Sequence, residues 1–327
     1  MRIWDLLRRL CDVFVREPRL IYKYYVNQRS TPPSGGWGTG PRMVFKADGR
    51  FPHGGMFDRL KGAISVYAAA QCIGREFRIA FTHPFDLRDY LVPNEYDWRI
   101  DESELKKRWP AARPIFMYGE YGNPVRLVKR RRGESHFYYG YNSLDWLNKR
   151  YGRNYEFGEL YRQLFRPTEK LQRYIDHYKA EIGGGYIAVH FRFMNLIGDS
   201  TEFTDVNPTL PAEEQERLIE RSLEQLRILA EKHSGKVIML ATDIARFVSI
   251  VKERMPAVYV VPGEIRHIGT AEDNSDASTV KMFLDYYLIA GAEKVYNLVS
   301  EGMWKSAFPE YAAKIGGVEF ERVFFGL

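Results

Sequence analysis

Apolar runs and helical-period segments alternate along the second half of the chain. Short apolar, β-branched runs at 186–193, 236–241, 259–261 and 294–299 predict strands, and the spacing of apolar positions at 211–233, 244–253 and 279–291 predicts helices between them. Strand, helix and strand in that rhythm predict a parallel, doubly wound sheet. The first half opens the same way, with strand-like runs at 43–45 and 77–81 around an apolar-periodic segment at 56–72. Residues 86–155 are irregular and rich in Tyr and Trp, so the pattern places no elements there, and acceptor recognition is expected in that region. A helix at 159–181 ends at Gly183, Gly184 and Gly185, which sets the domain boundary.

The expectation is therefore an α/β protein of two Rossmann-like domains, 42–182 and 183–327, preceded by a segment 1–41. Within that segment Ser30 to Pro41 reads STPPSGGWGTGP, a run of turn formers that predicts a linker or loop. A length of 327 residues suits two domains. No repeat of fixed period suggests a solenoid.

Composition narrows the class. No stretch approaches the ~20 apolar residues of a membrane-spanning helix. Cys11 and Cys72 stand far apart with no CxxC or Cys/His spacing, which argues against a disulfide framework or a zinc site and fits a cytoplasmic home. A net charge of +6 favours an anionic partner without naming it. Residues 1–29 mix Trp4, Leu6, Leu7, Leu10, Phe14 and Ile21 with six basic residues up to Lys23, broken at Pro18. Such a segment either lies peripherally on an anionic membrane face or packs on its own domain.

Polar residues at the predicted carboxyl ends of strands mark the candidate chemistry, because an open parallel sheet binds its ligand there. His190 and Arg192 end one strand, Thr242 and Asp243 a second, and Ser300 a third. An arginine on an apolar strand needs an anion, and a planar guanidinium suits a pyrophosphate; a salt bridge to Asp243 explains it equally well. His190 alone reads more simply as a satisfied core histidine. Ser278 and Thr279, placed just before the helical run VKMFLDYYLIAG, are either phosphate ligands or ordinary caps. Asp285 stands among Phe283, Leu284, Tyr286, Tyr287 and Leu288, an unfavourable place for a carboxylate without partners. Guanine, with adjacent N1–H and N2–H donors, fits such a carboxylate.

In the first half HGGMFDRLKG puts Gly54 and Gly55 at a strand-to-helix turn with Asp58 and Arg59 behind them, a weak anion-site signal lacking both GxGxxG and the Walker lysine. The run Lys129 to Arg132 followed by HFYYGY has nucleic-acid-like composition but is one short cluster, and an exposed turn explains it better. The acidic loop EDNSD at 272–276 has neither EF-hand spacing nor a DxD triplet, so no metal is expected.

Three motifs then carry a resemblance: GGMFDRLKG, VHFR, and the pairing of LATD with FLDYYLIAGAEKVYNLVS. Over roughly residues 51–327 the chain resembles the GDP-fucose-dependent fucosyltransferases, including nodulation and core α1,6-fucosyltransferases and protein O-fucosyltransferases. The resemblance implies the GT-B arrangement, in which two Rossmann-like domains face a cleft. It also implies a GDP-fucose or related GDP-sugar donor and a glycan acceptor, while the basic N-terminus suggests a lipid-linked or surface polysaccharide acceptor and polysaccharide biosynthesis as the setting. Within it Asp285 matches the guanine ligand, Ser300 a phosphate contact, Arg192 the β-phosphate arginine, His190 its partner in HxR, and Asp243 the acid lining the pocket. Gly54, Gly55, Asp58 and Arg59 match the cleft-facing turn. The α1,6 branch carries HxRR, whereas Phe193 stands at the second arginine here and Asn195 near the following acid, so the linkage is not carried over.

The implied mechanism is inverting displacement at the anomeric carbon, with Arg192 stabilising the leaving GDP and a carboxylate just past VHFR taking the acceptor proton. Asp199, Glu202 and Asp205 are the candidates for that base, Asp199 first. Rival readings are a non-catalytic GDP-sugar or glycan binder, a nucleic-acid-associated protein and a dinucleotide-dependent oxidoreductase. The missing GxGxxG counts against the last, and no nucleic-acid partner is expected.

Overall fold

The computed structural model describes residues 11–27, 41–51, 53–117, 123–198, 208–263 and 276–326. The chain divides into two compact units, Met1–Arg166 and Pro167–Leu327.

Among the described residues of the first unit, β1 (Met43–Ala47), β2 (Phe77–Phe81), β4 (Ala112–Phe116) and β5 (Glu134–Tyr138) form a parallel sheet in the order β2-β1-β5-β4, while β3 (Leu91–Pro93) lies apart. The helix Met56–Cys72 covers one face and is buried over most of its length. It approaches the end of β5 so closely that a methyl group on Gly62 or Gly140 would overlap the other glycine's Cα, which restricts both positions to glycine.

β4 and β5 lie in the region that the hydrophobic pattern leaves unassigned. β5 reads ESHFY with every residue buried, so its interior is polar and no apolar run announces it. Its charges are met by partners: Arg42 bonds Glu134 Oε1 at 2.6 Å, and His136 Nε2 lies 3.0 Å from Glu134 Oε2.

The expected helix at 159–181 is two helices, Phe157–Leu164 and Glu169–Ile182, interrupted by β6 (Phe165–Pro167). Pro167 cannot continue the helix, and Thr168 Oγ1 caps the second one by accepting the Leu171 N–H. The division between units falls at this break, before the Glu169–Ile182 helix, whereas the glycines at 183–185 set it after.

In the second unit β7 (Tyr186–Phe191), β8 (Val237–Thr242), β9 (Val258–Tyr259), β10 (Lys294–Val299) and β11 (Glu319–Phe324) form a parallel sheet in the order β11-β10-β7-β8-β9. This is the doubly wound order of a Rossmann fold, and the order reverses between β7 and β10. Phe191, Phe193 and Phe247 pack in its core with Leu240 and Leu298, all fully buried. Full burial of each such side chain contributes about 1.5–3 kcal/mol. The hydrophobic pattern announces neither β11 nor the preceding helix Phe308–Gly316. β11 is an edge strand that alternates acidic, aromatic and basic residues, and such strands give no apolar run.

Candidate functional site

Ligands of doubly wound sheets lie outside the carboxyl ends of the strands, where the order reverses. In the second unit that point is the end of β7 beside the end of β10. The structure puts His190 next to last in β7, Arg192 just beyond it, Thr242 and Asp243 at the end of the neighbouring β8, and Ser300 directly after β10. All five expected residues of this unit's strand ends are therefore on one rim.

Their bonding separates two roles. Asp243 accepts the N–H groups of Phe193 and Met194 at 2.9 and 2.7 Å, and its Oδ2 lies 3.4 Å from Arg192 Nη1. Burial raises its pKa, while Arg192 and the two amides oppose that rise. Asp243 thus positions the β7 exit and Arg192. It also supports Met194 in the left-handed region, at a φ of 56°, an uncommon conformation for a non-glycine residue. This anchoring explains why β7 stops at Phe191, short of the expected 193. The salt bridge and the anion reading of Arg192 coexist, since Asp243 holds the arginine at the rim.

His190 is held from behind. The Asn297 amide lies 3.4 Å from its Nδ1 and donates to its carbonyl at 3.3 Å, while Arg322 Nε donates to Asn297 Oδ1 at 2.9 Å. Burial, then the nearby Arg192 and Arg322, pulls the His190 pKa down to about 3, so the ring is neutral at physiological pH. His190 also stacks on Phe308 at 5.6 Å, and Phe308 meets Tyr286 edge-on at 5.7 Å. That contact ties the end of the sheet to the helix Asp276–Ala290.

Ser278 and Thr279 lie within that helix, correcting their placement before it; its described residues run from Asp276, whose carboxylate accepts from Lys170 at 2.8 Å. Asp285 lies two turns on, nearly buried, with Lys281 bonded to its Oδ2. Burial raises its pKa and Lys281 lowers it. Asp285 Oδ1, Thr242 Oγ1 and Ser300 Oγ are buried with no hydrogen-bond partner among the described residues. Unpaired buried acceptors are rare in folded proteins, and ligand atoms are a common explanation.

The expected residues of the first unit form a turn of their own. Gly55 precedes the Met56–Cys72 helix as its N-cap, and a Cβ on Gly54 would lie 2.5 Å from Asp58 Oδ2, so a side chain there would displace Asp58. Asp58 pairs with Lys61 at 2.6 Å. Arg59 is buried and donates to the carbonyls of Gly54 at 3.0 Å and His83 at 2.6 Å. Two of its five N–H donors thus brace the glycine turn against the exit of β2. Asp199 and Glu202, the expected bases, lie outside the described residues, as does Asp205.

Three residues at the rim escape the sequence reading. Lys281 stands four residues before Asp285, the spacing of an ion pair within a helix, and that signal is readable. Asn297 interrupts the apolar run KVYNLV and is fully buried, a second readable signal. Arg322, on the unexpected β11, has none.

No family model matches the sequence, and the curated proteins give no match either. Solved structures do. The NodZ α1,6-fucosyltransferase soaked with GDP-fucose superposes with a TM-score of 0.53 at 17% identity, covering 84% of this chain and 92% of that one. The same enzyme co-crystallised with GDP gives 0.54 at 18% identity over the same shares. The chain shares the fold of NodZ. A fucosyltransferase NodZ from Bradyrhizobium gives 0.52 at 17% identity. POFUT1 in complex with GDP covers 91% of this chain at 14% identity, with a TM-score of 0.45. Within this NodZ-like fold, Phe193 accounts for one departure from the α1,6 pattern. It is fully buried, stacked on Phe191 at 5.5 Å and against Phe247 at 4.8 Å, so an arginine at that position would be driven into the core.

Proposed function

We propose that the chain is a glycosyltransferase that takes fucose, or another GDP-linked hexose, from a GDP-sugar to a glycan acceptor. The observation that carries the reading is a set of buried oxygens with no hydrogen-bond partner among the described residues of a NodZ-like fold: Thr242 Oγ1 and Ser300 Oγ at the ends of β8 and β10, and Asp285 Oδ1 on the helix before β10. The NodZ structures were obtained with GDP and with GDP-fucose. Asp285 would accept from the guanine N1–H and N2–H, the 276–290 helix start and Ser300 would face the phosphates, and Arg192, held by Asp243, would neutralise charge on the leaving diphosphate.

Transfer in this reading is a single displacement. The acceptor hydroxyl oxygen bonds to the anomeric carbon from the face opposite the nucleotide, the bond to the β-phosphate oxygen breaks with its electron pair leaving on GDP, and the hydroxyl proton passes to a carboxylate. Asp199, with Glu202 as second choice, is the proposed base, on sequence position alone. Neutral His190 cannot add positive charge to the diphosphate, which leaves that role to Arg192. No metal is assigned to the reaction. The acceptor is read as a glycan or lipid-linked glycan and the setting as cytoplasmic, with peripheral membrane contact through residues 1–29.

Calorimetric titration with GDP, GDP-fucose, UDP and NAD in EDTA tests the core of this. Selective binding of GDP and GDP-fucose without metal supports it. A response to NAD or UDP with none to GDP would overturn it, and GDP-fucose binding with no turnover on any glycan would leave a non-catalytic binder instead.

A further inference from the structure

The helical stretch at the start of the described chain packs one face and leaves another bare. Leu20, Ile21, Tyr24 and Tyr25 sit against Phe51, Phe116 and Tyr138. Glu17, on the same inner face, pairs with Arg126 at 3.4 Å, and the Tyr25 hydroxyl meets His136 Nδ1 at 2.8 Å. The two sequence readings of this segment, packed helix and interfacial helix, therefore apply to opposite faces. The outer face carries Phe14, Pro18, Tyr22 and Val26 at helical spacing, with Phe14 72% and Tyr22 58% exposed.

The bare surface continues past the helix. Trp109 donates its backbone N–H to the Tyr25 carbonyl at 3.1 Å and is itself exposed, and exposed Val125 adjoins the Arg126 that holds Glu17. Of eleven large hydrophobics exposed among the described residues, six belong to this one region: Phe14, Val15, Tyr22, Val26, Trp109 and Val125. Single exposed apolar residues are ordinary on a protein surface, whereas such a concentration marks an interaction site.

Cations share the region. Arg16, Arg19 and Lys23 are exposed on the helix, and Arg113 lies over the Trp109 ring at 4.1 Å. Arg131 feels both Arg113 and Arg126, which, after burial, lower its pKa, so the basic run 129–132 borders the same surface. In the sequence from 1 to 29 seven basic residues face three acidic ones, and one of those acids, Glu17, is buried.

A nucleic acid would engage the arginines but offers no hydrocarbon for Phe14 and Val15. A bilayer with anionic headgroups takes both, with Trp and Tyr at the headgroup level and Lys and Arg against the phosphates. We infer that this outer helix face, with Trp109 beside it, rests on an anionic lipid surface. The inference deepens the membrane contact proposed above for residues 1–29 and stands apart from the nucleotide reading, none of whose residues it uses.

The test is co-sedimentation of the full chain with vesicles of phosphatidylcholine alone and of phosphatidylcholine mixed with phosphatidylglycerol. Binding is expected on the mixed vesicles, weakening as salt is raised. Arg19→Glu with Lys23→Glu should lower the partition constant about thirtyfold, at about fivefold for each cation removed, and more if reversal adds repulsion. Phe14→Ser with Tyr22→Ser, at exposed positions whose loss leaves the fold intact by circular dichroism, should also release the protein. No binding to the mixed vesicles, or equal binding by wild type and both variants, overturns the inference. Release of a duplex DNA probe by the charge variant with no effect on vesicles would assign the surface to nucleic acid, and a concentration-dependent dimer abolished by Phe14→Ser with Tyr22→Ser would assign it to a second copy of the chain.

Discussion

Lys281→Met isolates the electrostatics of the proposed guanine site. Lys281 and Asp285 are both nearly buried and bonded to each other, one turn apart on the same helix. Methionine fills similar volume but leaves the carboxylate alone in an apolar setting. Removing one partner of a buried pair costs about 3–5 kcal/mol unless the remaining group neutralises. For a unit of this size each kcal/mol lowers the melting temperature by roughly 2–4 °C, so a fall of roughly 10 °C is expected. Burial already raises the Asp285 pKa, and loss of Lys281 removes what opposes it. Part of the penalty then appears as protonation of Asp285, and a protonated carboxyl cannot accept from both guanine donors. GDP affinity in the variant should drop by roughly ten- to a hundredfold near neutral pH, the worth of one charged hydrogen bond. It should recover as pH rises through the elevated pKa, while wild-type affinity stays flatter. Calorimetry across pH 6 to 9 with thermal melts measures both. GDP affinity unchanged from wild type at every pH, in a variant whose melting temperature does fall, would refute the assignment of Asp285 to the base.

The other predictions are independent of that pair. Arg192→Ala should cost about 1.5–3 kcal/mol in GDP binding and also lower the melting temperature, because it leaves buried Asp243 without its cation; unchanged titration heats would remove it from the phosphate site. Gly140→Ala should destabilise the first unit by about 3 kcal/mol or more, since the added methyl overlaps Gly62, and a variant with native-like denaturant midpoint would contradict that packing. His53, His136 and His190 have pKa values pulled down to about 3, about 4 and about 3, chiefly by burial. Their folded forms stay neutral while the unfolded chain takes up protons near pH 6.5, so stability is full above that pH and falls as pH drops from about 6.5 toward 4. A histidine that protonates only in the unfolded chain costs about 1.4 kcal/mol for every pH step of one below 6.5, so the three together remove several kcal/mol. A denaturant midpoint flat between pH 7 and pH 5 would show that they are not buried neutral.

The second unit was legible because its strands β7, β8 and β10 are buried on both faces and read as apolar runs, with helical periods between them. The rim residues followed from the same pattern, since a strand's polar terminus is visible once the strand is. β5 was hidden because a buried Arg42–Glu134–His136 network replaces apolar residues inside a strand. β11 was hidden because an edge strand needs only a half-buried face. The division between units was misplaced because glycines at 183–185 mark the end of a helix as clearly as they would mark a linker, while Pro167 sits in a segment whose composition is helical on both sides. The bracing role of Arg59 is hidden for a different reason: a side chain's charge is readable from sequence, but the carbonyls it bonds belong to residues 54 and 83, which come together only through the fold.

The order β11-β10-β7-β8-β9 has a consequence for how the protein is made. β7 gains its β10 neighbour only after residues 294–299 emerge from the ribosome, and Asn297 is fixed later still, when Arg322 arrives. The first unit can close on itself as an independent body long before then. A nucleotide can therefore assist folding of the second unit only once the chain has been made through Ser300, the last of the proposed contacts. Until β10 emerges, one edge of β7 stays open, because β8 covers only the other.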